Sequence, residues 1–158
     1  MKLQQRGEER MTAPPDVVWP FVTDPAKVAS CLPEVVDVTV HDDTHFDATV
    51  GVNVGPVRGR FKLKFELLPD PAARSIVLKI AGGGFGSAVD LSASANITDS
   101  GDGGTVMPWT GEAEVRGPVA AVGGRVLEAQ AKKLIAQTFA NVGERVSNPA
   151  AAVPPPGR

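Results

Sequence analysis

Residues Gly117 to Val146 read GPVAAVGGRVLEAQAKKLIAQTFANVGERV, and this segment is the strongest indicator of the fold. Its apolar residues recur at intervals of three and four, the spacing of an amphipathic helix that covers a core with one face. This face carries Val122, Val126, Leu127, Ala131, Leu134, Ile135, Phe139 and Val142, and the opposite side carries Arg125, Glu128, Lys132 and Lys133. We therefore predict one long, continuous helix over this whole stretch.

Composition limits the classes of protein to consider. The chain has 158 residues, of which 42% are hydrophobic and 22% charged, which is typical of one soluble domain with its own core. A net charge of -2 and a pI near 5.7 provide no basic surface for nucleic acid. The single cysteine, Cys31, excludes an internal disulfide and multi-cysteine zinc sites and is typical of a reducing compartment. Because no signal peptide and no long apolar run occur, we expect a cytoplasmic protein.

Two short helices are predicted after an N-terminal edge strand. Residues Lys2–Met11 are mostly polar and form the strand. Thr12–Asp16 is a helix start with prolines in the first turn, and Pro20 removes a backbone hydrogen bond and must kink or shorten this helix. Asp24–Pro25 begins a second helix, which ends at Pro33.

From Val35 onward the apolar residues alternate with polar ones, as in strands with one buried face. The face of the first strand carries Val36, Val38 and Val40, and Gly55–Pro56 is a predicted turn. We predict six antiparallel strands within residues 35–40, 46–54, 57–68, 76–80, 89–97 and 105–115, or seven with the edge strand. The order of elements indicates an α+β fold in which a curved antiparallel sheet wraps around the long C-terminal helix. The space between sheet and helix is the natural place for a cavity.

Several short sequence motifs within residues 2–146 resemble those of a known protein family. They are Val18–Trp19 with Asp24–Pro25, Cys31–Leu32–Pro33, Gly55–Pro56–Val57–Arg58–Gly59–Arg60–Phe61, and Gly117–Pro118–Val119–Ala120 with Phe139. The chain resembles the helix-grip (START-like, SRPBCC) superfamily and, within it, the CoxG family, which is named as a component of carbon monoxide dehydrogenase. The chain departs from the family pattern at four positions. Family members often have Gly in place of Glu34, and a second aromatic residue after Phe139 in place of Ala140. Pro20 and Pro108 interrupt elements that are usually continuous.

The resemblance implies a ligand-binding domain over residues 1–146 that holds an apolar small molecule between sheet and helix. For CoxG-like proteins it implies that the protein assists a molybdenum-containing carbon monoxide dehydrogenase or a comparable respiratory oxidase. It would do so by recruiting the enzyme to the membrane, by assisting its assembly, or by carrying menaquinone or another long-chain quinone or lipid. Residues 147–158 read as a proline-rich, disordered tail without an anchor. Contact with the inner face of the plasma membrane would then need a tail beyond the given chain.

The predicted ligand-binding residues are apolar and lie on the inward phase of the strands, on the apolar helix face or at the mouth of the cavity. They are Trp19, Val50, Phe61, Phe65, Phe85, Val89, Leu91, Trp109, Leu127, Ala131, Leu134, Ile135 and Phe139. The indole N–H of Trp109 could donate to a ligand carbonyl, although a plain core role fits the same pattern. Phe85, at the tip of the Gly82–Gly86 loop, could gate the cavity. Gly123–Gly124 weaken a helix and indicate close approach of other backbone, or flexibility.

Catalytic and metal-binding patterns in the sequence have simpler interpretations. Charged side chains of the strands point away from the predicted inner face, which leaves no acid, base or nucleophile for catalysis. We therefore expect a binding protein rather than an enzyme, and an ionisable side chain in the cavity would reverse that expectation. His41 and His45 read as part of a solvated turn rather than a metal site.

Three further motifs also have simpler interpretations than a site. Gly82–Gly86 lacks the Gly-Lys-Ser/Thr of a phosphate loop, and Asp99–Gly104 lacks the distal acidic ligand of a calcium loop. Cys31, with no histidine or cation expected beside it, reads as a small buried residue rather than a reactive thiol.

Overall fold

The computed structural model describes residues 1–54 and 57–147, so the predicted Gly55–Pro56 turn and residues 148–158 of the predicted tail lie outside the described residues. The helices are α1 (Pro15–Val22), α2 (Pro25–Ser30) and α3 (Gly124–Ser147), and a 3-10 helix covers Pro118–Val122. The strands are β1 (Lys2–Met11), β2 (Val35–Val40), β3 (His45–Val54), β4 (Val57–Asp70), β5 (Ser75–Gly84), β6 (Ser87–Asn96), β7 (Thr98–Asp99) and β8 (Thr105–Arg116).

The strands form one antiparallel sheet in the order β1-β8-β6-β5-β4-β3-β2, with the two-residue β7 paired to β8. This confirms the α+β prediction, including the two short helices after the first strand. Within the described residues the sheet has eight strands, because β7 adds to the predicted set. The backbone of α3 comes close to β1, at one edge of the sheet, and to β3, beside the other edge. The sheet therefore curves around the helix, as in the helix-grip fold.

The predicted alternation in β2 is wrong at Val36, which is 51% exposed. The pairing of β2 with β3 shifts register between Val35 and Asp37, so an extra residue bulges out of the ladder. The preceding Glu34 has φ of +61°, a backbone conformation that favours glycine. Its carbonyl oxygen accepts a hydrogen bond from the Gly51 N–H at 2.8 Å. The departure from the family pattern at Glu34 thus places a side chain where the backbone suits glycine.

Two prolines do not end the elements that contain them. Helix α1 continues through Pro20 to Val22 and is short, with 8 residues, and β8 continues through Pro108 to Arg116. Asp24 begins α2 as predicted: its Oδ1 accepts from the backbone N–H groups of Ala26 and Lys27 at 2.9 and 3.3 Å.

The predicted single helix is wrong at its start. Gly117 (φ +87°) and Gly123 (φ +100°) both have left-handed backbone, so a 3-10 helix lies between them and α3 begins only at Gly124. The predicted close approach of backbone does not occur at Gly123 or Gly124, where an added Cβ would meet nothing within 4 Å. It occurs at Gly117, where a Cβ would collide with the carbonyl oxygen of Gly86. Val126 belongs to the predicted apolar face but is 45% exposed, because it lies in the first turn of α3.

We predict opposite effects for two glycine-to-alanine substitutions. Gly117→Ala should lower the free energy of unfolding by more than about 1 kcal/mol, since it adds left-handed strain and a backbone collision. Gly143→Ala should raise it by about 0.5–1 kcal/mol, because Gly143 lies inside α3 with open space around its Cα. Urea denaturation measures both. Equal effects of the same sign would contradict this account.

Candidate functional site

The inner face of the sheet, defined as the face that meets α3, is built from apolar rows that run across the strands. In one row Phe46 pairs with Phe65, Phe65 with Ile80, Ile80 with Leu91, and Leu91 with Ala113. Each pair is directly opposite, so the side chains share one face. Lys64, Asp90 and Glu112 take the alternate phase and lie on the outer face. The inner face across the middle strands is therefore uncharged, as the alternation in the sequence predicted.

Helix α3 packs on this face at its two ends. Near its start, Leu127 is buried in a cluster with Phe61 and Val115. Near its end, Val142 and Val146 are buried in another cluster that contains Leu67, Ile76 and Met107. A third cluster, around Phe46 and Phe65, packs against Ala29 of α2. The buried residues thus fall into three clusters, which are linked by the half-buried side chains of Val28, Val50, Leu63 and Leu78.

The middle of α3 faces the sheet without packing on it. Leu134 lies two turns after buried Leu127, and Ile135 lies two turns before buried Val142, so both belong to the stripe that points at the sheet. Ala131, Leu134 and Ile135 nevertheless remain half-buried and belong to none of the three clusters. The same holds for Leu91 on the facing strand β6. We call the region of these four half-buried side chains, between the middle of α3 and the inner face of the sheet, the central gap.

The predicted inward phase of Trp109 agrees with the register, in which Trp109 pairs with Ala95 on one side and Gly7 on the other. Its ring centroid lies 5.7 Å from that of Phe139 on α3. The indole Nε1 is buried and, among the described residues, has no hydrogen-bond acceptor. A Cβ at Gly7 would lie 2.9 Å from the indole ring, so only glycine fits there. Gly7 is a site residue that the sequence pattern did not reveal, since its role appears only through strand pairing.

The thirteen predicted ligand-binding residues fall into four places. Val50, Phe61, Val89 and Leu127 gather in the cluster at the start of α3. Trp19 and Phe139 pack on the cluster at its end, and Trp109 contacts Phe139. Phe65 belongs to the third cluster, and Leu91, Ala131, Leu134 and Ile135 border the central gap. Phe85 lies apart, at the turn between β5 and β6, and is 49% exposed.

Two polar side chains of β1 lie on the inner face of the sheet. The sequence pattern did not reveal them, because β1 was predicted only as a polar edge strand. Gln5 donates from Nε2 to the carbonyl oxygen of Glu128 on α3 at 3.1 Å, which ties the sheet edge to the helix. Glu9 pairs with Met107 and is half-buried. The prediction of an inner face without ionisable groups is therefore wrong at this edge, though it holds across the middle strands.

The outer face of the sheet, away from α3, has a depression of about 690 Å³. Its lining includes Lys64, Glu66, Lys79, Asp90 and Glu112, with charges of both signs. Such a surface suits water and ions rather than an apolar molecule. The depression therefore does not substitute for the central gap as the site of a lipophilic ligand.

The histidines lie in a charged, exposed turn. His45 is held between two carboxylates, with Nδ1 at 2.9 Å from Asp42 Oδ1 and Nε2 at 3.1 Å from Glu66 Oε2. The hydrogen bond with Asp42 is the main cause that raises the pKa of His45. The backbone N–H of Thr44, followed by His45, lowers the pKa of Asp42 to about 2. Among the described residues, no group of three or more His, Cys, Asp and Glu side chains is arranged to hold a metal.

The surroundings of Cys31 correct one expectation. A cation does lie beside it: Arg145 Nη1 is 4.0 Å from the sulfur and also donates to the carbonyl oxygen of Ser30. Burial nevertheless dominates and raises the pKa of the Cys31 thiol. Asn141 of α3 donates to the Cys31 carbonyl oxygen at 3.0 Å. These bonds fasten the end of α2 to the last turns of α3, which agrees with a structural role for this residue.

The apolar inner face, the central gap and the helix grip agree with what a comparison with known families finds. A family profile described as a carbon monoxide dehydrogenase subunit (CoxG) matches residues 7–147. The chain belongs to the CoxG family. This confirms the resemblance drawn from the local phrases. No curated protein matches this CoxG family member significantly. No helix in the described part of the chain is long and apolar enough to cross a membrane.

Solved structures share the fold of this CoxG family member. A conserved protein from Geobacillus kaustophilus is 23% identical with a TM-score of 0.83, over 92% of this chain and 95% of that chain. A START superfamily protein from Mycobacterium smegmatis is 16% identical with a TM-score of 0.66, over 92% and 97%. Norcoclaurine synthase from Thalictrum flavum is 16% identical with a TM-score of 0.67, over 94% and 88%. These likenesses show the fold alone, and the synthase shows that the fold also occurs in an enzyme.

We predict that the contribution of His45 to stability depends on pH. Because its partners raise the pKa of His45 in the folded state, this contribution is fully present below the ordinary pKa of about 6.5. It is lost as pH rises through the raised value. The difference in melting temperature between the wild type and His45→Gln should therefore be larger at about pH 5.5 than at about pH 9. A difference that is constant over this range would contradict the ion pairs.

Proposed function

We propose that this protein is a non-enzymatic carrier that binds a lipophilic small molecule in the central gap, and that the molecule is a long-chain quinone such as menaquinone. The observation that carries the proposal is the unpacked middle of α3. Leu134 and Ile135 point at the sheet between two packed helix ends, yet pack on no core cluster. Apolar side chains left unpacked inside a domain lose stabilisation, and an apolar ligand restores it.

The chemistry of the lining favours an uncharged, flexible chain. The rows beside the gap, from Phe65 to Ala113, are uncharged, so an ionic ligand would lose hydration without gaining a partner there. Each buried methylene contributes about 0.8 kcal/mol, so a few isoprene units suffice for tight binding without polar contacts. An isoprenoid chain fits this requirement well.

One polar atom supports a ligand with a carbonyl group. The Trp109 N–H is a buried donor without an acceptor among the described residues. Leaving such a donor unpaired costs about 1–3 kcal/mol. A quinone carbonyl that reaches this N–H after a small movement of Phe139 would pair it. The combination of a hydrocarbon lining and a single donor suits a quinone better than a fatty acid, whose carboxylate would need a cation.

The partner of the carrier is proposed from the family. The profile that matches residues 7–147 is described as a subunit of carbon monoxide dehydrogenase. We infer that the protein serves this enzyme or a similar respiratory oxidase and presents the quinone to it as an electron acceptor. The alternative is an assembly or membrane-recruitment factor for a molybdenum hydroxylase, in which the gap has no role.

Filling the gap should abolish ligand binding. Leu134→Trp places an indole in the central gap, whereas Ala136→Trp places the same side chain at an exposed position of the same helix. We expect wild type and Ala136→Trp to take up about one equivalent of menaquinone from detergent, and Leu134→Trp to take up at least tenfold less. Mass spectrometry of a solvent extract measures the ligand, and thermal melting confirms that each variant is folded.

Two outcomes would contradict the carrier. One is a wild-type protein that is free of lipid after gentle purification and takes up no quinone. The other is a Leu134→Trp variant that loses quinone but still supports the oxidase fully in cells, which would favour the assembly or recruitment factor.

The indole donor should discriminate between ligands. Trp109→Phe keeps an aromatic ring beside Phe139 but removes the N–H. We expect the affinity for menaquinone to fall by about tenfold, as for one lost hydrogen bond, while the affinity for squalene, a hydrocarbon without carbonyls, stays unchanged. The variant itself should be at least as stable as the wild type, because a buried unpaired donor is removed. An equal loss for both ligands would assign Trp109 a packing role only.

A further inference from the structure

One end of the molecule brings together several loops, and we call it the tip end. It comprises the last residues of β3 and the first of β4, where Val54 pairs with Val57, together with the β5–β6 turn, the 3-10 helix and the first turn of α3. The Val119 N–H donates to Ser87 Oγ at 2.9 Å, which joins the 3-10 helix to the β5–β6 turn. The ring of Phe85 lies over Gly59, which joins the same turn to the start of β4. These loops therefore form one contiguous surface.

Large apolar side chains are exposed on the tip end. Phe85 is 49% exposed and Val126 is 45% exposed. Phe85 also has φ of +54°, which bulky residues rarely adopt. Its ring centroid lies 5.9 Å from that of Phe61, which belongs to the cluster under the start of α3. A strained backbone that presents an aromatic ring to solvent is typical of a functional position.

Three arginines are exposed on the elements of the tip end. Arg58 and Arg60 lie near the start of β4, and Arg125 lies in the first turn of α3. None of the three takes part in an ion pair within residues 1–54 and 57–147. Arg116, at the end of β8, is 2.9 Å from Asp90 and thereby neutralises a carboxylate of this end. The tip end therefore carries positive charge although the net charge of the chain is -2.

The opposite end carries negative charge. Its turns and the strand ends beside them contain five aspartates, namely Asp42, Asp43, Asp70, Asp99 and Asp102. Two arginines of this end are paired with carboxylates, Arg10 with Glu8 at 3.4 Å and Arg74 with Asp16 at 2.9 Å, and Arg145 donates to the carbonyl oxygen of Ser30. The charges are thus separated along the strand direction, positive at the tip end and negative at the far end.

We propose that the tip end docks on the surface of an anionic phospholipid bilayer. Arginine guanidinium groups bind phosphate in bidentate fashion, and the half-exposed ring of Phe85 on the same end inserts at the level of the headgroups. The acidic far end is repelled by the same surface, so the charge separation orients the protein with the first turn of α3 toward the membrane. An acidic protein surface would match the arginines but would not account for the exposed face of an aromatic ring as well.

The proposed docking surface extends the proposed carrier function. It rests on that function, which gives the protein a reason to contact a membrane. Phe85 contacts Phe61, and Phe61 shares a cluster with Leu127 at the start of α3. An apolar path thus leads from the docked surface toward the central gap. A lipid that leaves the bilayer at Phe85 would meet apolar side chains along this path.

Vesicle co-sedimentation of the full 158-residue chain tests the proposal. Vesicles of phosphatidylcholine with about 30% phosphatidylglycerol are compared with vesicles of phosphatidylcholine alone, at low salt and at about 0.5 M NaCl. We expect binding only to the anionic vesicles, weakened by salt. Phe85→Ser and the double variant Arg58→Glu/Arg60→Glu should each reduce the bound fraction at least tenfold.

Matched controls change the same chemistry elsewhere. Leu68→Ser removes an apolar residue that is 39% exposed near the far end of β4, and Lys132→Glu/Lys133→Glu reverses two exposed charges in the middle of α3. Both should bind anionic vesicles like the wild type. Absence of wild-type binding, equal binding to both vesicle types, or equal losses in the tip-end and control variants would overturn the proposal.

The same preparations separate this proposal from the carrier function. Quinone content is measured by mass spectrometry on each variant. A wild type that retains quinone but ignores anionic vesicles overturns the docking surface alone. A wild type that binds vesicles through Phe85 and the arginines but takes up no quinone overturns the carrier function and leaves the docking surface in place.

Discussion

The structure depends on how a strongly curved sheet meets a straight helix. Helix α3 is fixed at both ends, by Leu127 near its start and by Val142 and Val146 near its end. Because the twisted sheet curves away between these points, the middle of the helix and β6 do not pack closely. The central gap is a consequence of this geometry rather than of any special residue.

The two ends of α3 are held by different means, which matters for access. At its end, packing is reinforced by polar bonds, from Asn141 to the Cys31 carbonyl oxygen and from Thr12 to Ser147 at 2.7 Å. At its start, the helix follows the left-handed Gly123 and a 3-10 helix whose Val119 N–H is bound by Ser87. Gln5 of β1 also donates to the Glu128 carbonyl oxygen near this start. The proposed docking surface lies at this end of the helix.

Among the described residues, the inner face combines hydrocarbon with the unpaired donor of Trp109, and this combination supports the proposed carrier rather than catalysis. Catalysis requires an acid, base or nucleophile beside the substrate. Across the middle strands the inner face has none, and Glu9 lies at the edge, opposite Met107. The Trp109 N–H can orient a carbonyl but cannot exchange its proton at ordinary pH. The lining is thus suited to holding a molecule unchanged.

Periodicity in the sequence was enough to predict the class of fold, the antiparallel strands and the uncharged inner rows, because local chemistry imposes periods of two and of three to four. Local phrases also identified the family, and the pattern placed Trp109 and Leu134 on the correct faces. The folded chain was needed to see that Gly117 and Gly123 interrupt the predicted helix, that β2 bulges at Val36, and that Gly7 makes room for Trp109. These features arise from backbone conformation and cross-strand contact, which hydrophobic periodicity does not encode. The central gap and the separated end charges likewise require knowing which distant residues come together.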